Sequence, residues 1–107
     1  MQRLLQAFKN SLSGLYIAYK EETAFKQEVF LSILLIPLAV FTAKDQAHLL
    51  LMIGSVLILL ITELLNTAIE ATIDYISMER HPLAKKAKDT ASAAVLIALF
   101  FVVICYI

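Results

Sequence analysis

Three apolar runs, Val29–Ala43, Ala47–Ile61 and Ala91–Ile107, leave this chain few ways to fold. Each falls somewhat short of the roughly 20 residues a helix needs to cross hydrocarbon, where every backbone N–H and C=O must be satisfied within the segment, so the helices should extend beyond the runs. With 61% hydrophobic residues in a chain of 107, and a mean hydropathy of +0.82, too little polar surface remains to clothe a domain in water. A two-span hairpin would leave the last apolar run in water, at a large cost in exposed apolar surface. The expectation is therefore an all-α membrane protein with three transmembrane helices. With 2 Gly, 2 Pro and no low-complexity stretch, one domain covers residues 1–107.

Ahead of the first run, Leu4, Leu5, Phe8, Leu12, Leu15 and Tyr19 recur at helical spacing between Arg3, Gln6, Lys9, Asn10 and Ser13. This pattern predicts an amphipathic helix over residues 2–19 lying in the membrane interface or packed on a partner helix. Its first ten residues lack the apolar core and cleavage site of a signal peptide and are expected to be retained. The first span should begin before Glu28, with Lys26 at the interface and Pro37 tolerated within it, and Lys44, Asp45 and Gln46 should turn the chain. The second run should continue helically to Asp74. Arg3, Lys9, Lys20 and Lys26 precede the first run, and Arg80, Lys85, Lys86 and Lys88 precede the last. The positive-inside rule then puts the N-terminus and the charged stretch from Asp74 to Asp89 in the cytoplasm, and the Lys44–Asp45 turn and the C-terminus in the periplasm. The lone Cys105 has no partner for an internal disulfide and is read as a packing or lipid-facing residue.

The sharpest chemical signal is on the second long helix. Glu63, Asn66, Glu70 and Asp74 follow one another by three, four and four residues, which keeps them on one face. Carboxylates in a membrane helix are costly and mark functional sites unless they lie solvated beyond the bilayer. Glu22 and Glu28 should lie at the same depth, and carboxylates converging there suit a hard divalent cation. Arg80–Lys88 can attract phosphate or anionic headgroups, or simply set the topology. There is no GxGxxG or GxxxxGK[ST] run, so a nucleotide site here would have to be built differently from those of the common soluble kinases.

The run Glu63-Leu-Leu-Asn66-Thr-Ala-Ile-Glu70-Ala, with His81-Pro-Leu-Ala-Lys-Lys-Ala-Lys88-Asp89 and Ser92-Ala-Ala-Val, resembles the prokaryotic diacylglycerol kinase family. Ala24-Phe25-Lys26-Gln27-Glu28 and Ser11-x-x-Gly14-Leu15 extend the resemblance over nearly the whole chain. The resemblance implies a homotrimeric bacterial inner-membrane enzyme with a surface helix and three spans per subunit. Its active sites would be shared between subunits, and it would transfer the γ-phosphate of ATP to diacylglycerol with Mg²⁺ as cofactor. By that likeness Glu63 is the general base, Glu22 and Glu70 are metal ligands, and Asn66 orients the metal or phosphate region. Lys88 and Asp89 contact the nucleotide, Arg3 reaches the phosphates, and Glu79, Arg80 and His81 form the adenine side. Ser11, Glu28 and Ser92 line the lipid end. Asn10 and Tyr16 depart from the aromatic and basic residues of the best-known branch, and Pro82-Leu-Ala-Lys-Lys looks more like the branch that phosphorylates undecaprenol. A channel or a non-enzymatic assembly protein is the rival class; a conducting path would need polar groups at every depth, whereas Ala47–Ile61 offers only His48 and Ser55.

Overall fold

The computed structural model describes residues 1–107 as four helices and short connections. They are α1 (Gln2–Glu21), α2 (Thr23–Thr42), α3 (Gln46–Ile76) and α4 (Pro82–Tyr106). The last three are long and apolar enough to cross a membrane, and the chain is an all-α membrane protein. At 1.5 Å per residue the 31 residues of α3 span about 46 Å, which carries the helix well past a hydrocarbon core of about 30 Å.

The corner between α1 and α2 is a single residue. Glu22 is extended (φ −107°, ψ 109°); its N–H donates to the Ala18 carbonyl at 2.9 Å and its own carbonyl accepts from the Lys26 N–H at 3.0 Å. One residue thus closes one helix and opens the next. The α2–α3 turn is shorter than the sequence suggests, because Gln46 already belongs to α3. Asp45 caps that helix, its carboxylate accepting from the His48 N–H at 2.7 Å. The second connection also contracts: Asp74 lies within α3, and α4 starts at Pro82 rather than near Ala91, leaving Ser77–His81 as the link. Pro82 sits at the first helical position, where its missing N–H costs nothing, and the His81 ring accepts from the Leu83 N–H as the cap. The basic segment 85–88 is therefore the opening of α4 and not part of a loop.

In the packing α3 is the hub, with α4 and α2 against it. One stripe of α3 carries the buried Met52, Val56 and Leu59 and, one further turn on, the buried Glu63. Small residues let the backbones close in on that stripe: Ala39 of α2, Ser55 of α3, and Ala91 and Ala98 of α4 are all buried. Cys105 packs with Ala39 and Met52, which settles its role as a core residue. At the end of the bundle near the α2–α3 turn, the Tyr106 hydroxyl donates to the Leu35 carbonyl at 2.9 Å, tying α4 to α2. His48 Nδ1 accepts from the Lys44 N–H, which leaves Nε2 to donate to the Cys105 carbonyl at 2.9 Å. The outer faces, by contrast, are bare: Phe30, Leu34, Phe41, Ile61, Ile97 and Phe100 are exposed, which in water would be an aggregation hazard and in a bilayer is a surface for lipid or other helices.

Candidate active site

The stripe that is apolar in the first half of α3 turns polar in the second, and its residues emerge step by step. Glu63 is buried (6% exposed), Asn66 and Glu70 are half-buried, and Asp74 is exposed. The four share a face, as their spacing predicts, and each has a different neighbour. The Glu63 carboxyl lies against that of Glu28 on α2. Asn66 Nδ2 donates to Glu70 Oε1 at 2.9 Å, one turn away, while Asn66 Oδ1 is buried and unpartnered. Asp74 forms an ion pair of 2.7 Å with Lys88 of α4. A buried acceptor with no donor costs free energy that native proteins seldom leave uncompensated. The Asn66 oxygen, on this polar stripe, is open to a donor from outside the chain.

Beyond Asp74 the stripe leads to a cavity of about 600 Å³ at the α3–α4 turn, lined by Arg80, His81, Pro82, Ala84, Lys85, Lys88 and Asp89. Three of its four charged residues are cations, and it opens on the first turns of α4, the end of the helix whose dipole favours anions. Its volume falls in the range usual for small-molecule sites. Lys88 reaches across to Asp74, and Lys85 to Asp89; these are the chain's only two ion pairs.

The structure thus brings together Glu28 with Glu63, Asn66 with Glu70, and Arg80, His81, Lys88 and Asp89 around one cavity. It does not bring Arg3, Ser11 or Glu22 to them within a single chain. Arg3 and Ser11 lie on exposed α1, the Ser11 hydroxyl occupied by the Ala7 carbonyl, and Glu22 holds the α1–α2 corner with its carboxylate unpaired. Glu79 is exposed, its N–H on Ser77 Oγ and its side chain outside the cavity lining, and Ser92 is exposed on α4. No three acidic, His or Cys side chains of one chain gather closely enough to hold a metal ion. Lys85 is absent from the sequence-based site, because its charge reads as part of the topology signal; its four-residue spacing from Asp89 is the clue to it. The Glu28–Glu63 contact joins two helices and has no signal in spacing. His48 and Ser55, the two polar groups the sequence offers in the apolar half of α3, both bond backbone carbonyls.

The family described as "Prokaryotic diacylglycerol kinase" matches residues 9–107. Among curated proteins, the diacylglycerol kinase of Haemophilus influenzae is 47% identical over 102 residues, 95% of this chain and 86% of that protein. The diacylglycerol kinase of Pseudomonas aeruginosa is 45% identical over 106 residues (99% and 86%), and that of Escherichia coli K12 is 41% identical over 104 (97% and 85%).

Proposed function

The chain belongs to the prokaryotic diacylglycerol kinase family and is a membrane lipid kinase; we propose that it transfers the γ-phosphate of ATP to the hydroxyl of diacylglycerol, giving phosphatidate and ADP. One observation carries the reading of the site. A single face of α3 runs from a buried carboxylate, Glu63, at the apolar level of the helix to the Asp74–Lys88 pair at the mouth of a cationic cavity. A lipid alcohol and a polyphosphate differ in where they can go, and this face spans the two places.

In this arrangement Arg80, His81 and Lys88 receive the nucleotide, with Glu79 beside them and Asp89 in the cavity wall. Glu63 accepts the proton of the lipid hydroxyl as its oxygen forms the new bond to the γ-phosphorus. The bond from that phosphorus to the β–γ bridging oxygen breaks, and ADP leaves. Phosphoryl transfer needs positioning and charge neutralisation more than covalent help, so these side chains suffice in kind. Glu28, against Glu63, lines the lipid end with Ser11 and Ser92. The groups near the middle of the stripe that could ligate a metal, Asn66 Oδ1 and the Glu70 carboxylate, are oxygens, and Asn66 Oδ1 lacks a partner, which fits Mg²⁺: this ion takes one or two carboxylates together with substrate phosphates. Glu70, held by Asn66, and Glu22 would be its protein ligands, and bound there the ion would neutralise charge on the transferring group.

The bare apolar faces of α2–α4, and the lack of any ion pair to Arg3 or Glu22 within the chain, support a homotrimer whose sites are completed by neighbouring subunits. The basic residues at the α1 end and the α3–α4 turn support a bacterial inner-membrane location with both on the cytoplasmic side, where ATP is found. The Pro82-Leu-Ala-Lys-Lys segment favours a second acceptor, undecaprenol, for the same chemistry. Offering labelled ATP with each lipid separately in mixed micelles, and resolving the products by thin-layer chromatography, tests the assignment. Label in phosphatidate is the expected outcome; label only in undecaprenyl phosphate would replace the acceptor and leave the reaction unchanged.

A further inference from the structure

Lys85 lines the cavity at the α3–α4 turn, yet it stands where local helix energetics disfavour it. It is the fourth residue of α4, and a cation in the first turn opposes the helix dipole. Its Nζ bonds the Oδ2 of Asp89 one turn later, and a lysine placed N-terminal to its acid is the weaker of the two i,i+4 orientations. Both ends of the pair are well exposed (79% and 62%), so water and salt screen it and helix stability gains little. A residue that breaks local rules without a packing return calls for a reason elsewhere.

The reason is in the cavity wall. Asp89 is the only carboxylate in that lining, and an unneutralised carboxylate would repel a triphosphate. Lys85 covers it, while Lys88 is held toward the reacting end by Asp74. We propose that Lys85 is a positioning residue for the nucleotide, fixing and neutralising Asp89 so that the cavity presents a cationic surface to the polyphosphate. This rests on the reading of the cavity as the ATP site. Lys86 provides an internal control, since it is also exposed and carries the same charge at the adjacent position but does not line the cavity.

The test is steady-state kinetics of the full chain in mixed micelles, varying MgATP at saturating diacylglycerol and then the reverse, for wild type, K85A, K85R and K86A. Alanine at an exposed helical position preserves the helix. K85A is expected to raise KM for ATP about three- to tenfold, with kcat within about twofold and KM for diacylglycerol unchanged, the signature of lost uniform binding. K85R should restore the wild-type value and K86A should match it. An unchanged KM for ATP in K85A, an equal rise in K86A, or a loss falling on kcat or on the lipid KM would overturn the role of Lys85 while leaving the kinase reading intact. A folded wild type that transfers no phosphate from ATP would overturn both.

Discussion

Asn66 shows how much of this site depends on one side chain meeting two demands. Its amide nitrogen is committed to Glu70, and its buried oxygen is left facing the polar stripe. If Glu70 is a metal ligand, Asn66 both orients that ligand and offers an oxygen of its own. Losing such an outer-shell partner commonly lowers metal affinity or activity about 10–100-fold. N66A should therefore raise the Mg²⁺ concentration needed for half-maximal turnover by about that factor while the helices remain folded, as read from activity against free Mg²⁺ with circular dichroism on the same sample. An unchanged Mg²⁺ dependence would remove Asn66 and Glu70 from the metal's surroundings. Residue identities along the stripe were legible from spacing, because period and burial change together along one helix. The pairing of Glu28 with Glu63 was not, since it depends on how α2 leans on α3, and no local pattern encodes that.

The helices themselves are set by their ends and by a few long-range bonds. Asp45 starts α3 by accepting from the His48 N–H, and removing such a cap typically costs about 1 kcal/mol. Tyr106 joins α4 to α2 through the Leu35 carbonyl, and interhelical hydrogen bonds in membranes average about 0.6 kcal/mol. D45A should thus lower stability somewhat more than Y106F, both modestly, in reversible denaturation in mixed detergent; equal, undetectable effects would mean these contacts do not hold the bundle. The spans were legible because apolar runs of this length have one solution in a bilayer. The start of α4 was not, because three lysines masked its first turns, although Pro82 behind a capping His81 is a helix-start signal. The single-residue corner at Glu22 was equally hidden, since no Gly or Pro announces it.

Across the molecule, a bundle of only three spanning helices leaves most of its apolar surface for lipid or for further copies, and its polar groups are arranged along one axis rather than in one pocket. The buried carboxylate meets the apolar zone, the Asn66 oxygen in the middle lacks a partner, and the cationic cavity opens at the far end. On the proposed reading, that gradient would bring a lipid alcohol and a water-soluble phosphate donor to the same few side chains. Its central element is Glu63, placed where the lipid hydroxyl would arrive. The most direct test is the rate of labelled phosphate transfer from ATP to diacylglycerol in mixed micelles by wild type and E63Q. Removal of a general base predicts a fall in kcat of about 10²–10⁴ with KM for ATP nearly unchanged. Turnover by E63Q within a few-fold of wild type would contradict the assignment of Glu63 as the base and the reading of the α3 stripe built on it.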